Sequence, residues 1–178
     1  MIFYIGDTHF GDWRVMELAH RPYVAVGEMD RDILYKWNSR VEKGDTVYIL
    51  GDFAFNDEAA RIIDRLHGKK VLIMGNHDQA LSRKTLRKFA RVETIYSILD
   101  NGRSVCLCHY PLLSYDRSVY GGYHVFGHIH NNKNDIAYSL QNQLVNSFHC
   151  GADVVGFMPR TLDELISLKK GETECARK

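Results

Sequence analysis

Proline is scarce in this chain, at three residues among 178, and no stretch is low in complexity or built like a linker. That excludes a string of modules on spacers and predicts a single domain over residues 1–178, long enough to bury a sizeable core. No apolar run approaches the roughly 20 residues that a spanning helix needs, so no membrane partner is expected. No basic segment followed by a long apolar core opens the chain, and the start therefore does not read as a secretory leader. Charge of one sign is lacking too: 23 Lys and Arg against 22 Asp and Glu leave +1. That gives no electrostatic signature of nucleic acid or a membrane surface. Cysteines are few: Cys106, Cys108, Cys150 and Cys175. Cys106 and Cys108 fall on one face of a predicted strand, with Leu107 opposite. They read as buried, reduced core thiols. The alternative is a C-x-C redox or zinc pair, with no second C-x-C or C-x-x-C to complete a four-sulfur site. Such usage fits a reducing cytoplasm.

What is present is ordinary globular material, 45% hydrophobic and 25% charged, in short apolar runs alternating with helical patterns. IFYI (2–5), TVYIL (46–50) and KVLIM (70–74) read as strands, the second covered on both faces. In EMDRDILYKWNSRV, Met29, Ile33, Leu34, Trp37 and Val41 recur at helical spacing. Asn56 reads as an N-cap before Asp57 and Glu58, with Ile62, Ile63 and Leu66 inward and Gly68 at the exit. Ser82 caps another short helix ending near Phe89. Later the pattern changes. RVETIYSIL and RSVCLC flank Asp100-Asn101-Gly102, a strong hairpin signal. YHVF (123–126) and a stretch within 137–148 add strands, and Thr161-Leu-Asp-Glu164 reads as a capping box. Parallel units first and antiparallel strands later predict a mixed-sheet α/β protein. Residues 10–27 and 110–122 are long connections, a length often tied to function.

The informative regularity is where polar residues fall. Five apolar strands end in polar clusters: IFYI in GDTH, TVYIL in GDF, VLIM in GNHD, VCLC in HY, and HVF in GHIH. Loops at the carboxyl ends of strands converge over one crevice in α/β sheets. Glycines at 6, 51, 75 and 127 let the backbone turn sharply there. The clusters thus gather Asp7, His9, Asp52, Asn76, His109, His128 and His130. This set of carboxylate, imidazole and amide donors suits Mn²⁺, Fe or Zn²⁺ better than Ca²⁺ or a cysteine-rich zinc site. Seven candidates exceed what one tetrahedral ion needs but suit two ions sharing a carboxylate. Of nine histidines, five lie in these clusters. His20, His67, His124 and His149 do not, and read as surface or core residues, His149 least securely.

The ordered set D-x-H, GD, GNHD, H and GHxH, spread over residues 7–130, resembles the calcineurin-like metallophosphoesterase superfamily. The resemblance implies a four-layer α/β/β/α sandwich of two mixed sheets with a dinuclear site at one edge. It assigns Asp7, His9 and His130 to a first metal, and Asn76, His109 and His128 to a second, with Asp52 bridging. It also implies a metal-bridging hydroxide that attacks phosphorus, two divalent ions with Mn²⁺ the first choice and Fe, Zn²⁺ or Ni²⁺ behind it, and His77 near the leaving-group oxygen. Asp78 reads equally as an orienting partner of His77 or as a cap of the following turn. Phe55 and Asn56 stand where the protein Ser/Thr phosphatase branch carries Asp and Arg, which argues against a phosphoprotein substrate. The length leaves no room for the capping domain of the superfamily's DNA-repair nucleases. Arg21 to Tyr23, Trp37-Asn38 and LGDF look like the small stand-alone bacterial or phage phosphoesterases. The expected activity is hydrolysis of a small phosphodiester or phosphomonoester, nucleotides included. A nuclease on polymeric nucleic acid and a non-catalytic protein-binding scaffold are the alternatives. Arg14, Arg21, Tyr23, Tyr115 and Arg117 are candidate substrate contacts from the two long loops.

Overall fold

IFYI forms β1 (Ile2–Ile5) as expected, and α1 (Trp13–Leu18) and α2 (Val26–Asn38) follow. The computed structural model describes residues 1–175, with side chains to 171; the Cys175 side chain lies outside that range. α1 sits inside a stretch that reads as a loop, because Asp12 caps it by accepting from the Arg14 N–H at 3.1 Å. Met29, Ile33, Leu34 and Trp37 of α2 are buried on one face, and the Trp37 indole donates to the His67 carbonyl. Full burial of such side chains stabilises by roughly 1.5–3 kcal/mol each.

β2 (Thr46–Ile49) and β3 (Lys69–Ile73) come next, then α3 (Arg83–Leu86), capped by Ser82 through the Thr85 N–H. Between β2 and β3 the segment Ala59–Asp64 winds as a 3₁₀ helix rather than an α-helix, and Asn56 Oδ1 caps it through the Ala59 N–H. The run RVETIYSIL is not one strand. It divides at Thr94 into β4 (Arg91–Glu93) and β5 (Ile95–Asp100), because the chain leaves one sheet there and enters the other. β5 returns as β6 (Arg103–Cys108) through the Asn101-Gly102 turn, where φ is +49° and +79°. β7 (Tyr123–Phe126) is as expected. Residues 137–148 are mostly helix: Asp135 caps α4 (Ile136–Gln143), and the strand β8 covers only Ser147–His149. α5 (Ala152–Val155) and α6 (Leu162–Cys175) complete the order. Thr161 and Glu164 exchange the reciprocal capping-box bonds at the start of α6.

The architecture is the α/β/β/α sandwich. Strands β1-β2-β3-β4 form an entirely parallel sheet, which corrects the expectation of two mixed sheets, since helical crossovers link its successive strands. Strands β5-β6-β7-β8 form the second sheet, in which β5 and β6 are antiparallel and the remaining pairs parallel. Cys106, Cys108 and Cys150 are buried free thiols. The Tyr4 hydroxyl of β1 donates to Asp100 of β5 at 2.9 Å, one tie between the sheets. A second lies at their carboxyl ends. There Gly6 and Gly151 form a parallel bridge, with Gly6 N–H donating to Cys150 and Ala152 N–H to Gly6, at 2.8 and 2.9 Å. β1, β2, β3, β6 and β7 therefore deliver their C-terminal loops to one edge of the sandwich.

Candidate metal centre

Three of the five strand-end clusters, those after β1, β2 and β7, leave their sheets through left-handed backbone. Asp7, His9, Asp52, His128 and His130 all have positive φ, between +49° and +73°. Left-handed backbone at non-glycine residues is disfavoured and collects at functional sites, where surrounding structure holds it. Here the holding contacts are visible. Asp7 N–H donates to Gly51 and His9 N–H to Asp52, each at 2.9 Å, which locks the β1 loop to the β2 loop. The His128 N–H reaches both oxygens of Asp7, at 3.0 and 2.9 Å, and so brings the β7 loop in. Two glycines have no substitute. A Cβ on Gly51 would lie 2.3 Å from His109 Nδ1, and one on Gly75 would lie 2.2 Å from Asp52 Oδ1.

The ligand atoms converge on Asp52. Its Oδ1 accepts from the His77 N–H at 2.9 Å. Its Oδ2 lies 3.6 Å from His9 Nε2 and 3.6 Å from His109 Nε2, with His77 Nε2 at 4.0 Å. Asn76 Oδ1 is 3.1 Å from His109 Nε2. His109 holds the Leu50 carbonyl with Nδ1 at 2.7 Å, and His130 holds Asp153 Oδ2 with Nδ1 at 2.6 Å. Those bonds place the proton on Nδ1 and leave Nε2 as a lone pair facing the cluster. His9 Nε2 is buried with no hydrogen-bond partner. Atoms of Asp7, His9 and His130 fall within 4.8 Å of one another, as do atoms of Asp7, Asp52 and His109.

The electrostatics suit cations. Burial lowers the pKa of His9 and His128 and takes His109 down to about 4, so these rings are neutral donors at pH 7. Burial also lowers His130, but the Asp153 hydrogen bond together with the charges of Asp7 and Asp153 outweighs it and the net shift is upward. Burial raises Asp7 to about 7, with the charge of Asp52 adding to the rise. A carboxylate that holds its proton so tightly wants a positive charge beside it, which a divalent ion supplies. The orphaned His9 nitrogen, the oriented lone pairs and the mixed nitrogen and oxygen donors all fit divalent metal.

All seven predicted ligands and His77 meet at this edge. His77 is half exposed and stands edge-on to His9 at 5.3 Å. His9, His77, His128, His130 and Arg14 line an open cleft of about 370 Å³. Arg14 is held there by Asp12, at 2.9 and 3.1 Å, with its guanidinium over the Phe55 ring.

Other expectations need correction. Asp78 neither orients the His77 ring nor caps its own turn. It is fully buried, and its carboxylate accepts the N–H groups of Asp52, Phe53 and Gly75 at 2.8, 2.9 and 2.9 Å. It clamps the β2 loop to the β3 loop. Arg21 is also buried, beneath the site. It pairs with Asp153 at 2.7 Å and donates to the carbonyls of Asp7 and Thr8 at 2.6 and 2.9 Å. Tyr23 bonds to Asp32 and packs edge-on against Phe157. Tyr115 ties the 110–122 loop to itself and to residue 146, while the Arg117 backbone closes the turn and its side chain is exposed. The Tyr115 hydroxyl lies 3.3 Å from both the Gly122 and Asn146 carbonyls and donates to one of them, and the Arg117 carbonyl accepts from the N–H groups of Tyr120 and Gly122. Asp12, 3.7 Å from His9 Nδ1, and Asp153 escaped sequence reasoning. For Asp153 a signal existed, since SFHC followed by GAD repeats the motif of an apolar strand ending in glycine and aspartate.

Comparison with known proteins agrees with this geometry. Residues 1–165 match the family described as calcineurin-like phosphoesterase. An uncharacterized protein of Methanocaldococcus jannaschii is 32% identical over 176 residues, covering 96% of this chain and 93% of its own. The gene 66 protein of Mycobacterium phage L5 is 38% identical over 80 residues, which is 42% of this chain and 38% of that one. Among solved structures, a protein of unknown function from Aquifex aeolicus superposes with a TM-score of 0.76 at 24% identity, over 94% of this chain and 98% of that one. The Pseudomonas putida nuclease MPE gives 0.50 at 22% identity, over 72% and 61%. With its strand-end ligands, its sandwich and a family match across nearly its whole length, the chain belongs to the calcineurin-like phosphoesterases.

Proposed function

We propose that the cleft is the active site of a dinuclear metal-dependent phosphoesterase that favours phosphodiesters of small, nucleotide-like substrates. One observation carries the reading: Asp52 Oδ2 stands 3.6 Å from both His9 Nε2 and His109 Nε2. A single carboxylate oxygen within reach of two imidazole donors supports a pair of ions sharing one ligand. Asp7, His9 and His130 would hold the first ion, and Asn76, His109 and His128 the second, with manganese the first choice and iron, zinc or nickel behind it. Bound divalent ions supply Lewis acidity and a hydroxide nucleophile near neutral pH.

The side chains do the rest. Asp52, held through Oδ1 by the His77 N–H, keeps its other oxygen directed between the two positions. His77, half exposed at the cleft wall, gives its proton to the departing alkoxide. Its Nε2 is 4.0 Å from Asp52 Oδ2, close enough to reach a phosphate ester seated over that oxygen. Arg14, on the same wall, attracts the remaining phosphate charge. A near-neutral chain of +1 favours a small ester over tight binding along a nucleic-acid backbone.

The test is hydrolysis of bis(4-nitrophenyl) phosphate by metal-free protein supplied separately with Mn²⁺, Ni²⁺ and Zn²⁺, beside nucleotide monoesters, cyclic nucleotides and single-stranded DNA. Metal-dependent turnover of the diester, abolished in Asp52→Asn with the fold retained, is the expected result. His77→Ala should keep its metal and slow most on esters with poor leaving groups. Undiminished activity in Asp52→Asn refutes the bridging role. Cleavage confined to DNA moves the assignment to a nuclease, and metal uptake without turnover of any ester moves it to a binding scaffold.

A further inference from the structure

His149 ends β8 and carries a feature that the assigned roles do not use. Its ring lies flat on Phe126, with centroids 5.0 Å apart and planes at 9°. Its Nε2 is buried and has no hydrogen-bond partner. Burial pushes the ring pKa down to about 3, so it is a neutral imidazole with one N–H to give. A buried donor or acceptor without a partner is uncommon and calls for a reason.

The surroundings supply one. A Cβ built on Gly151 would lie 2.7 Å from His149 Nε2 and 2.8 Å from Asp7 Oδ2. The nitrogen and the carboxylate oxygen therefore border one small space, with no hydrogen bond between them, that is open because residue 151 has no side chain. The bridge between Gly6 and Gly151 fixes that space in the sandwich. Asp7 also joins His9 and His130 in a group whose ligand atoms lie within 4.8 Å of one another, and His149 is not part of that group. Carboxylates that ligate metal are themselves held by hydrogen bonds, and the partner sets both their orientation and their basicity. His9 Nε2 and His149 Nε2, both buried and unpaired, then have one explanation: the first faces an ion, and the second faces the carboxylate that would share that ion.

We propose that His149 is a positioning residue for Asp7, its Nε2–H donating to the Asp7 carboxylate and holding it toward the first metal position when the ion is bound. The inference rests on Asp7 as a metal ligand, as set out under Proposed function, and adds a residue that the strand-end motifs do not contain. It also explains why β8 must end beside β7: the register pairs Phe126 with His149, which sets the stacked ring at the height of the site.

The experiment is calorimetric titration of metal-free protein with Mn²⁺, together with thermal unfolding of the metal-free form. His149→Phe keeps the stack on Phe126 and removes the nitrogen. It should still take up two ions, with the affinity for one of them reduced about tenfold to a hundredfold. Its metal-free melting temperature should equal or exceed that of the wild type, because an unpaired buried nitrogen is gone. His149→Gln, which restores a donor, should recover most of the affinity. Unchanged affinity in His149→Phe overturns the proposal. So does loss of one whole ion, which would make His149 a ligand, and so does a parallel fall in metal-free stability, which would make its role structural. Wild-type protein that binds no ion overturns the reading underneath as well. Wild-type protein that binds two, with His149→Phe indistinguishable from it, overturns this inference alone.

Discussion

Replacing Asp78 by alanine should cost stability out of proportion to the size of the side chain removed. The carboxylate accepts three buried N–H bonds, from Asp52, Phe53 and Gly75. Hydrogen bonds to a charged group contribute about 1.5–3 kcal/mol each, so the three together set a ceiling of about 9 kcal/mol. Against that stands the cost of burying the carboxylate, visible in a pKa raised to about 6 chiefly by burial. The net loss is on the order of 4 kcal/mol, as expected when buried donors are left unpaired. At about 2–4 °C per kcal/mol for a chain of this size, the melting temperature should fall by about 8–16 °C. Asp78→Asn retains one acceptor oxygen but turns an amide toward N–H groups, and about half the loss should remain. The assay is thermal unfolding followed by circular dichroism in a chelator, so that metal does not mask the effect. Metal affinity should fall as well, since Asp52 N–H and Gly75 N–H lose their common anchor. A melting temperature within about 3 °C of wild type would refute the clamp.

Arg21→Met should destabilise by about 3–5 kcal/mol in urea, because Asp153 and the carbonyls of Asp7 and Thr8 lose a buried donor; a loss below about 1 kcal/mol would contradict the bracing role. His124 predicts a pH dependence. Its Nδ1 meets the Cys106 carbonyl, its Nε2 accepts from the Leu112 N–H, and burial depresses its pKa to about 4. A folded pKa below the ordinary 6.5 means that its contribution, on the order of 3 kcal/mol, is complete above pH 6.5 and is lost as pH falls toward 4. Asp7 and Asp78 act in the opposite sense in the metal-free protein, since their raised values add stability as pH falls below about 7 and 6. Urea stability of metal-free His124→Phe should therefore drop less between pH 7 and 5 than that of the wild type; equal drops would count against it.

The candidate ligand set was legible because each member sits at a strand end and all but His109 closely follow a glycine, so residues distant in sequence converge at one edge of the sandwich. The reciprocal Thr161–Glu164 cap and the Asn101-Gly102 hairpin were legible for a similar reason: their chemistry is local. Long-range contacts were not. Nothing in RVETIYSIL marks Thr94 as the point where the chain changes sheet, since both halves are equally good strand sequence. Arg21 and Asp78 look like exposed polar loop residues until the fold buries them under the site and gives them carbonyls and N–H groups to hold. The strand expected within 137–148 gave way to α4 over most of that stretch, because the Asp135 side chain caps the first turn through the Ala137 N–H.

The dinuclear reading is tested most directly by counting ions. Metal-free protein loaded with Mn²⁺ and passed through a desalting column should carry two ions per chain by elemental analysis. Asp52→Asn, which keeps the shape of the side chain 3.6 Å from both His9 and His109 but removes its charge, should carry one or none. Two ions retained in Asp52→Asn, or none in the wild type, would contradict it.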